Sequence, residues 1–298
     1  MRNLFIAIIL AVMATFPTMS PCEPLYPPPP SGWTHSEGLN QDTPEHHGVI
    51  LDGSAIGYGS PAVGDLDADP TNGKEVVVIG NDSRLHALSS DGREIWSYQI
   101  TDRKCSSLPQ PISSPAIGDL YGNGVSYVVV GYGGVTSKTC DGGVVALHGS
   151  DGQLAWQFST RTFSKKQHFW AQLHGVVSSP GLADVDNDGK LEIGFGSFDR
   201  NVYLLNPNGS VRWYYTAGDT VWSSPAFADV NNDGNLEMII GTDISQNLLM
   251  KPKIYNGGFV YAFKTKARKG LRINFRDPTS YVWKRWFNQV IQSSPVVA

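Results

Sequence analysis

The stretch SSPGLADVDNDGKLEIGFGS, Ser178 to Ser197, returns forty-five residues later as SSPAFADVNNDGNLEMIIGT, Ser223 to Thr242. Each copy sets a Ser-Ser-Pro ahead of a short apolar run, then an acidic turn, then a run of β-formers. Ser60-Pro61, Ser113-Ser114-Pro115 and Ser293-Ser294-Pro295 mark three more starts, so successive prolines stand 54, 65, 45 and 70 residues apart. Self-similarity at such a period indicates a repeat architecture. The shortest unit carries the core pattern. The longer ones hold their excess in TSKTCDGG, TRTFSKKQHFWAQLHG and KTKARKGLRINFRDPTSY, which read as loop insertions on a fixed scaffold.

In the first unit SPAVGDL and an acidic turn are followed by EVVVIG (Glu75 to Gly80), RLHALS (Arg84 to Ser89), the Asp91-Gly92 turn and REIWSYQI (Arg93 to Ile100). Four β-runs separated by turn residues form an antiparallel meander. The last run recurs around Trp156, Trp213 and Trp283, giving each unit one bulky aromatic at one place. A lone four-stranded sheet cannot cover both faces, whereas sheets packed radially cover each other. The fold class is therefore all-β, a β-propeller of four-stranded antiparallel blades. About four blades are present, as an incomplete part of a larger ring of seven or eight. SSPVVA, Ser293 to Ala298, opens a fifth unit, so further C-terminal blades are expected. GVILDGSAIGYG, Gly48 to Gly59, reads as a strand arriving from a preceding blade.

The acidic turns carry the chemistry. In Asp184-Val185-Asp186-Asn187-Asp188-Gly189-Lys190-Leu191-Glu192, acids occupy positions 1, 3, 5 and 9, with Gly at the sharp turn in position 6. Alternate acids in a tight loop aim several oxygens at one centre, which suits Ca²⁺. Without a cation their like charges repel. The fourth unit repeats the set as Asp229, Asn231, Asp233 and Glu237. The first has Asp65, Asp67 and Asp69, then two extra residues before Gly73 and Glu75, and is expected to be a bulged but functional site. The second keeps only Asp119, with Tyr121, Asn123 and Tyr127 at the remaining positions, and should bind a divalent ion weakly or not at all. Acidic turns that merely face solvent are the plain alternative, weakened by three recurrences at one place in the repeat.

These residues resemble the FG-GAP/VCBS repeat family, which includes the calcium-bearing blades of integrin α-chains. The resemblance spans about residues 55 to 298. It implies a propeller, calcium in the loop joining a blade's first two strands, and a role in cell adhesion or ligand recognition. VVALHGSDGQLAWQF, Val144 to Phe158, is similar to the blade signature of quinoprotein-type propellers, a mark of blade packing.

Composition and the N-terminus set the compartment. The chain is 41% hydrophobic, 17% charged and rich in Gly and Trp, with a formal charge of −4, which favours an extracellular all-β protein and gives no reason to expect nucleic acid. Arg2 precedes the apolar stretch Leu4 to Phe16, which is too short to span a bilayer and reads as an export signal. The division is a signal peptide over 1–20, a Pro-rich linker over 21–47 and propeller repeats over 48–298, with no transmembrane segment in the mature chain. Cleavage after Ser20 or Ala14 and acylation of Cys22 stay open, although Pro21 stands where a lipoprotein signal has a small residue. The expected location is secreted, or periplasmic and at the cell surface. There an oxidising environment allows a disulfide between Cys105 and Cys140.

The sequence holds no Gly-x-Ser-x-Gly, His-Glu-x-x-His or phosphate-binding glycine loop, which lowers the prior for the common enzyme classes. The leading reading is a secreted, calcium-binding adhesion module for an extracellular protein or polysaccharide. The alternatives are the propeller portion of a polysaccharide lyase or quinone-dependent dehydrogenase, and a periplasmic assembly scaffold. His168 and Trp170, in the insertion after the second unit, are the candidate ligand-facing residues. His86 and His148 lie in the similar runs LHAL and ALHG and are read as one repeated structural position.

Overall fold

The computed structural model describes residues 59–80, 83–100, 112–134, 140–167, 173–243, 257–266, 271–273 and 280–296, all within the unit Val49–Ala298. Four antiparallel sheets follow one another along the chain. Blade 1 is β1 (Ala62–Gly64), β2 (Glu75–Ile79), β3 (Arg84–Leu88) and β4 (Glu94–Gln99). Blade 2 is β5 (Ala116–Gly118), β6 (Tyr127–Gly133), β7 (Gly142–His148) and β8 (Leu154–Ser159), after which a helix, α1 (Thr160–Lys166), leads to blade 3. That blade is β9 (Gly181–Ala183), β10 (Glu192–Gly196), β11 (Asn201–Leu205) and β12 (Val211–Thr216). Blade 4 is β13 (Ala226–Ala228), β14 (Glu237–Gly241), β15 (Gly258–Lys264) and β17 (Tyr281–Phe287). The first strands of successive blades lie side by side. Among the described residues this is an all-β arrangement of four propeller blades.

Strand periodicity explains the packing. In β6, Val128, Val130 and Tyr132 pack toward blade 1 beside Val77, Leu85 and Trp96. The intervening Tyr127 and Val129 pack toward blade 3 with Ile193, Phe195 and Tyr203. Successive side chains point to opposite faces, so a blade covered on both sides reads as the continuous apolar run YVVVGYG. A third core joins blades 3 and 4 through Trp213, Tyr215, Tyr261 and Phe263.

The Ser-Ser-Pro motif is a strap between blades. The Ser113 hydroxyl accepts from the Gly131 N–H of its own blade at 3.0 Å and donates to the Ser178 carbonyl of the next blade at 3.0 Å. Ser178 and Ser223 accept likewise from Gly196 and Gly241, and Ser223 donates to the Ser293 carbonyl at 2.8 Å. The second serine works in the other direction: Ser60, Ser114 and Ser179 donate their N–H groups to the Ser114, Ser179 and Ser224 hydroxyls. At the blade periphery Trp96 and Trp156 donate their indole N–H groups to Gly149 O and Pro207 O of the following blade.

Each fourth strand is bulged one residue before its tryptophan. Trp96, Trp156, Trp213 and Trp283 sit opposite Ala87, Ala146, Leu204 and Ala262, leaving Ile95, Ala155, Arg212 and Val282 as the extra residues. This register corrects the reading of the histidines. His86 pairs with Val78, one residue before the position facing Trp96, whereas His148 pairs with Tyr127, two residues beyond the position facing Trp156. The odd offset puts them on opposite faces of their blades, so they are not one repeated position.

Two insertions also differ from expectation. TRTFSKK forms α1, capped by the Ser159 hydroxyl accepting from the Thr162 N–H at 3.0 Å. Its Phe163 ring packs against Phe158, Tyr203 and Tyr214. The blade 4 insertion contributes β16 (Leu271–Ile273), which pairs in parallel with β12 and makes blade 3 five-stranded. Cys140 is disulfide-bonded. Cys105, its expected partner, lies outside the described residues, as do Cys22, the signal and linker segments and the expected strand before Gly59.

Candidate metal-binding loops

Three of the four loops between first and second strands, those of blades 2, 3 and 4, share one backbone device. Asp184 Oδ1 and Oδ2 accept from the Asp188 and Gly189 N–H groups at 3.1 and 2.9 Å, and Asp229 does the same for Asp233 and Gly234 at 3.0 and 2.8 Å. Asp119 accepts from Tyr121 and Gly124 at 3.1 and 2.6 Å. The first aspartate is thus a turn organiser whether or not the other acids are present. The fourth loop position is left-handed in every blade, with φ of 63° at Ala68, 66° at Gly122, 60° at Asn187 and 58° at Asn232. Asn and Gly tolerate that conformation. The turn glycines Gly124, Gly189 and Gly234 follow at φ of 80° to 82°.

The last acid has a role the spacing did not reveal. Glu75, Glu192 and Glu237 are almost fully buried. Each accepts from the backbone N–H of the residue after its loop's first aspartate: Leu66 at 2.7 Å, Val185 at 3.1 Å and Val230 at 3.2 Å. The glutamate pins the loop's entry to the second strand. Burial holds Glu192 and Glu237 above the usual carboxylate range, against the pull of those N–H donors.

Oxygens of Asp65, Asp67 and Glu75 lie within 4.8 Å of one another in blade 1, as do those of Asp184, Asp186 and Asp188 in blade 3. Each cluster contains a buried carboxylate oxygen with no hydrogen-bond donor among the described residues, Oδ1 of Asp65 and Oδ1 of Asp186. A buried acceptor without a donor is costly, and converging carboxylate oxygens match a hard divalent cation. The residues present therefore fit such an ion.

Not every expected ligand joins its cluster. Pro70 and Thr71 carry Asp69 outward, where its carboxylate accepts from the Thr71 hydroxyl and N–H at 2.6 and 3.0 Å; the hydroxyl bond chiefly holds its pKa below the ordinary value. Glu192 stands apart from the blade 3 cluster. Among the described residues Asp229, Asp233 and Glu237 of blade 4 do not close to the blade 1 spacing. There Asn231 accepts from the Asp233 N–H at 3.0 Å and donates its amide to Asp233 Oδ2 at 3.0 Å. In blade 2, Tyr121 and Tyr127 meet edge to face with centroids 5.3 Å apart, and Tyr127 packs on His148 at 4.9 Å. Aromatic packing fills the place where the other blades have acids.

Arg212, which the sequence gave no reason to single out, enters the blade 3 site from β12. Its Nη2 donates to Asp186 Oδ2 at 2.6 Å and its Nη1 to Glu192 Oε1 at 3.1 Å. Lys190 pairs with Asp188 at the exposed rim, at 3.0 Å. His168 and Trp170 lie outside the described residues. The described residues nearest to them are those of α1 and Gln167 on one side and Leu173 and the buried His174 on the other.

Residues 184–240 match the FG-GAP-like repeat family. Fold and loops together define a β-propeller with acidic inter-strand loops, of which those of blades 3 and 4 lie in the matched stretch. No curated protein matches the chain. Solved structures similar to it include BamB from Moraxella catarrhalis, at 15% identity and a TM-score of 0.47 over 80% of this chain and 54% of that one. The C-terminal domain of PilY1 from Pseudomonas aeruginosa shares 16% identity with a TM-score of 0.49, over 73% and 51%. Quinohemoprotein alcohol dehydrogenase from Comamonas testosteroni shares 16% with a TM-score of 0.44, over 63% and 32%. The chain spans about half the length of the first two and a third of the last. Likenesses of this size transfer no function. Among the described residues no helix is long and apolar enough to cross a membrane.

Proposed function

We propose that this chain is a calcium-stabilised β-propeller working outside the cytoplasm as a binding or adhesion module for an extracellular protein or polysaccharide, exported by residues 1–20 and spaced by the Pro-rich segment 21–47. The observation that carries the reading is the pair of acidic oxygen clusters, each with a buried oxygen that no donor reaches. A bound Ca²⁺ would neutralise the clustered carboxylates, and the chain's own part is to hold the loops in place through Asp184 at the start of the blade 3 loop and through Glu75 and Glu192 at the ends.

Topology supports a division of labour. In an antiparallel four-stranded blade the connectors between strands 1 and 2 and between strands 3 and 4 emerge at one end, and all others at the opposite end. The acidic loops therefore occupy the first end, while the strand ends that face the connections β4–β5, β6–β7, β8–β9 and β14–β15 lie at the second. Calcium in this arrangement is structural. Recognition falls to the other end, where connectors are free to vary while packed strands are not. α1 is tied into the blade 2–3 core through Phe163 and so fixes the base of the segment carrying His168 and Trp170.

The test compares the parent with the His168→Ala, Trp170→Ala double variant on an array of extracellular glycans and matrix proteins in millimolar CaCl2. Loss of capture with a melting temperature within about 2 °C of the parent supports the reading. Unchanged capture with a large fall in melting temperature would place both residues in the core and refute it.

A further inference from the structure

Judged by motif alone, the blade 3 loop is the best cation site in the chain, with acids at every expected position, and the interrupted blade 1 loop is the worse of the two. We infer the reverse order, and the residue that decides it is Arg212. This inference rests on the cation reading above and refines it.

Arg212 is the bulge residue of β12 and is 7% exposed. From there the guanidinium spans two acids of its own blade's loop, at 2.6 Å to Asp186 and 3.1 Å to Glu192. Glu192 is then fully engaged: one oxygen holds the Val185 N–H and the other holds Arg212. Of the four acids, only Asp184, Asp186 and Asp188 remain close together. Blade 1 has Ile95 at the same bulge, which brings no charge to its loop. There the glutamate is in the cluster: Glu75 still pins Leu66 through one oxygen, yet lies within 4.8 Å of Asp65 and Asp67.

Arg212 is thus a built-in counter-cation. It supplies inside the protein part of the positive charge that a metal supplies to blade 1. A divalent ion entering the blade 3 loop meets a fixed positive charge, one fewer free carboxylate and a partly neutralised Asp186. Because calcium affinity is tuned over orders of magnitude by ligand number and charge, the blade 3 loop binds more weakly than the blade 1 loop, and it holds its shape without the metal. Blade 4 has Val282 at the bulge, so no charge reaches its loop from that position.

The two glutamates report on themselves through equivalent amides, Leu66 on Glu75 and Val185 on Glu192. In the full-length ¹⁵N-labelled protein, CaCl2 is titrated while both resonances are followed. The expected result is a Leu66 midpoint at least about tenfold below that of Val185. In Arg212→Met the Val185 midpoint falls by about tenfold or more and Leu66 does not move. Arg212→Lys, which keeps one charge but cannot bridge both acids, falls between and covers a failure of the Met variant to fold. Val185 responding at or below the Leu66 midpoint in the parent, or the right order in the parent with no shift in either Arg212 variant, overturns the inference while leaving the cation reading intact. A Leu66 amide indifferent to 10 mM CaCl2 overturns both.

Discussion

At the scale of single residues, the loops depend on backbone conformations that only a few side chains tolerate. Gly189 has a φ of 80° and open space where a Cβ would go. Gly189→Ala should therefore cost the conformational penalty alone, roughly 1–2 kcal/mol. Gly152 is also left-handed, at φ 67°, but its Cβ would meet the Trp96 ring at 2.6 Å. Gly152→Ala should add roughly 1–3 kcal/mol of overpacking to the same penalty. Urea unfolding of the two variants distinguishes them, and equal losses would deny that the Trp96 contact is tight. Asp243 is a different single-residue liability. It is 6% exposed and its Oδ1 has no donor among the described residues. Burial, reinforced by the nearby Asp219, pushes its pKa from 3.8 up to about 6. A carboxylate raised on folding favours the protonated native state, so its contribution is harmless below pH 3.8 and becomes destabilising as pH rises through 6. Asp243→Asn should therefore raise stability at pH 7.5 and leave it unchanged near pH 3.5. A variant less stable than the parent at pH 7.5 would reverse the sign and refute the account.

At the scale of elements, the Ser-Ser-Pro strap assigns its two serines unequal work. Ser178 Oγ accepts from Gly196 N–H in a buried setting, so Ser178→Ala leaves that donor unsatisfied and should cost about 1–3 kcal/mol. Ser114 Oγ accepts from Ser60 N–H at an exposed position, where water can substitute, and Ser114→Ala should cost under about 1 kcal/mol. Comparable losses in chemical denaturation would mean that the strap does not act by satisfying buried donors. The repeat starts, the strands and the acid loops were legible in the sequence because each is written locally: alternation within a strand, Asp-Gly at a turn, a proline at each start. What was not legible depends on register and reach. The histidines were misaligned because the turn between β7 and β8 is one residue longer than that between β3 and β4: Leu147 faces Leu154 where Leu88 faces Glu94, and this shifts which residue faces the tryptophan. α1 escaped notice because its seven residues, rich in Thr, Ser and Phe, have neither helical periodicity nor strong propensity; it is held by the Ser159 cap and by Phe163 in the core. Glu192 was read as a ligand from its spacing. Only the folded chain shows Arg212, twenty residues on, already in contact with it.

At the scale of the whole molecule, the blades are joined by apolar cores and serine straps, while the acidic loops bring like charges together at one end. Each cation bound there favours the folded chain by mass action, because the cluster exists only when the blade is formed. With a dissociation constant of about 10⁻⁴ M, an extracellular-type value, 1 mM calcium contributes roughly 1.4 kcal/mol per site. If blade 1 binds in that range and blade 3 about tenfold more weakly, the total is roughly 2 kcal/mol. For a propeller portion of this size that corresponds to a melting temperature higher by about 4–8 °C in calcium than in chelator. The variants should rank by structure. Asp67→Ala, in the cluster that includes Glu75, should remove most of the calcium-dependent shift. Asp186→Ala should remove less of it but lower stability in chelator as well, since it strips Arg212 of a partner at 2.6 Å. Asp119→Ala should leave the calcium response untouched, because in blade 2 the packing of Tyr121 on Tyr127 has taken over from acids. Scanning calorimetry of the four proteins in 1 mM CaCl2 and in chelator reads all of this at once. A parent that melts at the same temperature in both buffers would return the loops to solvated acidic turns, and an Asp119→Ala variant that loses the calcium shift would show that the degenerate loop, and not blade 1, is where the ion resides.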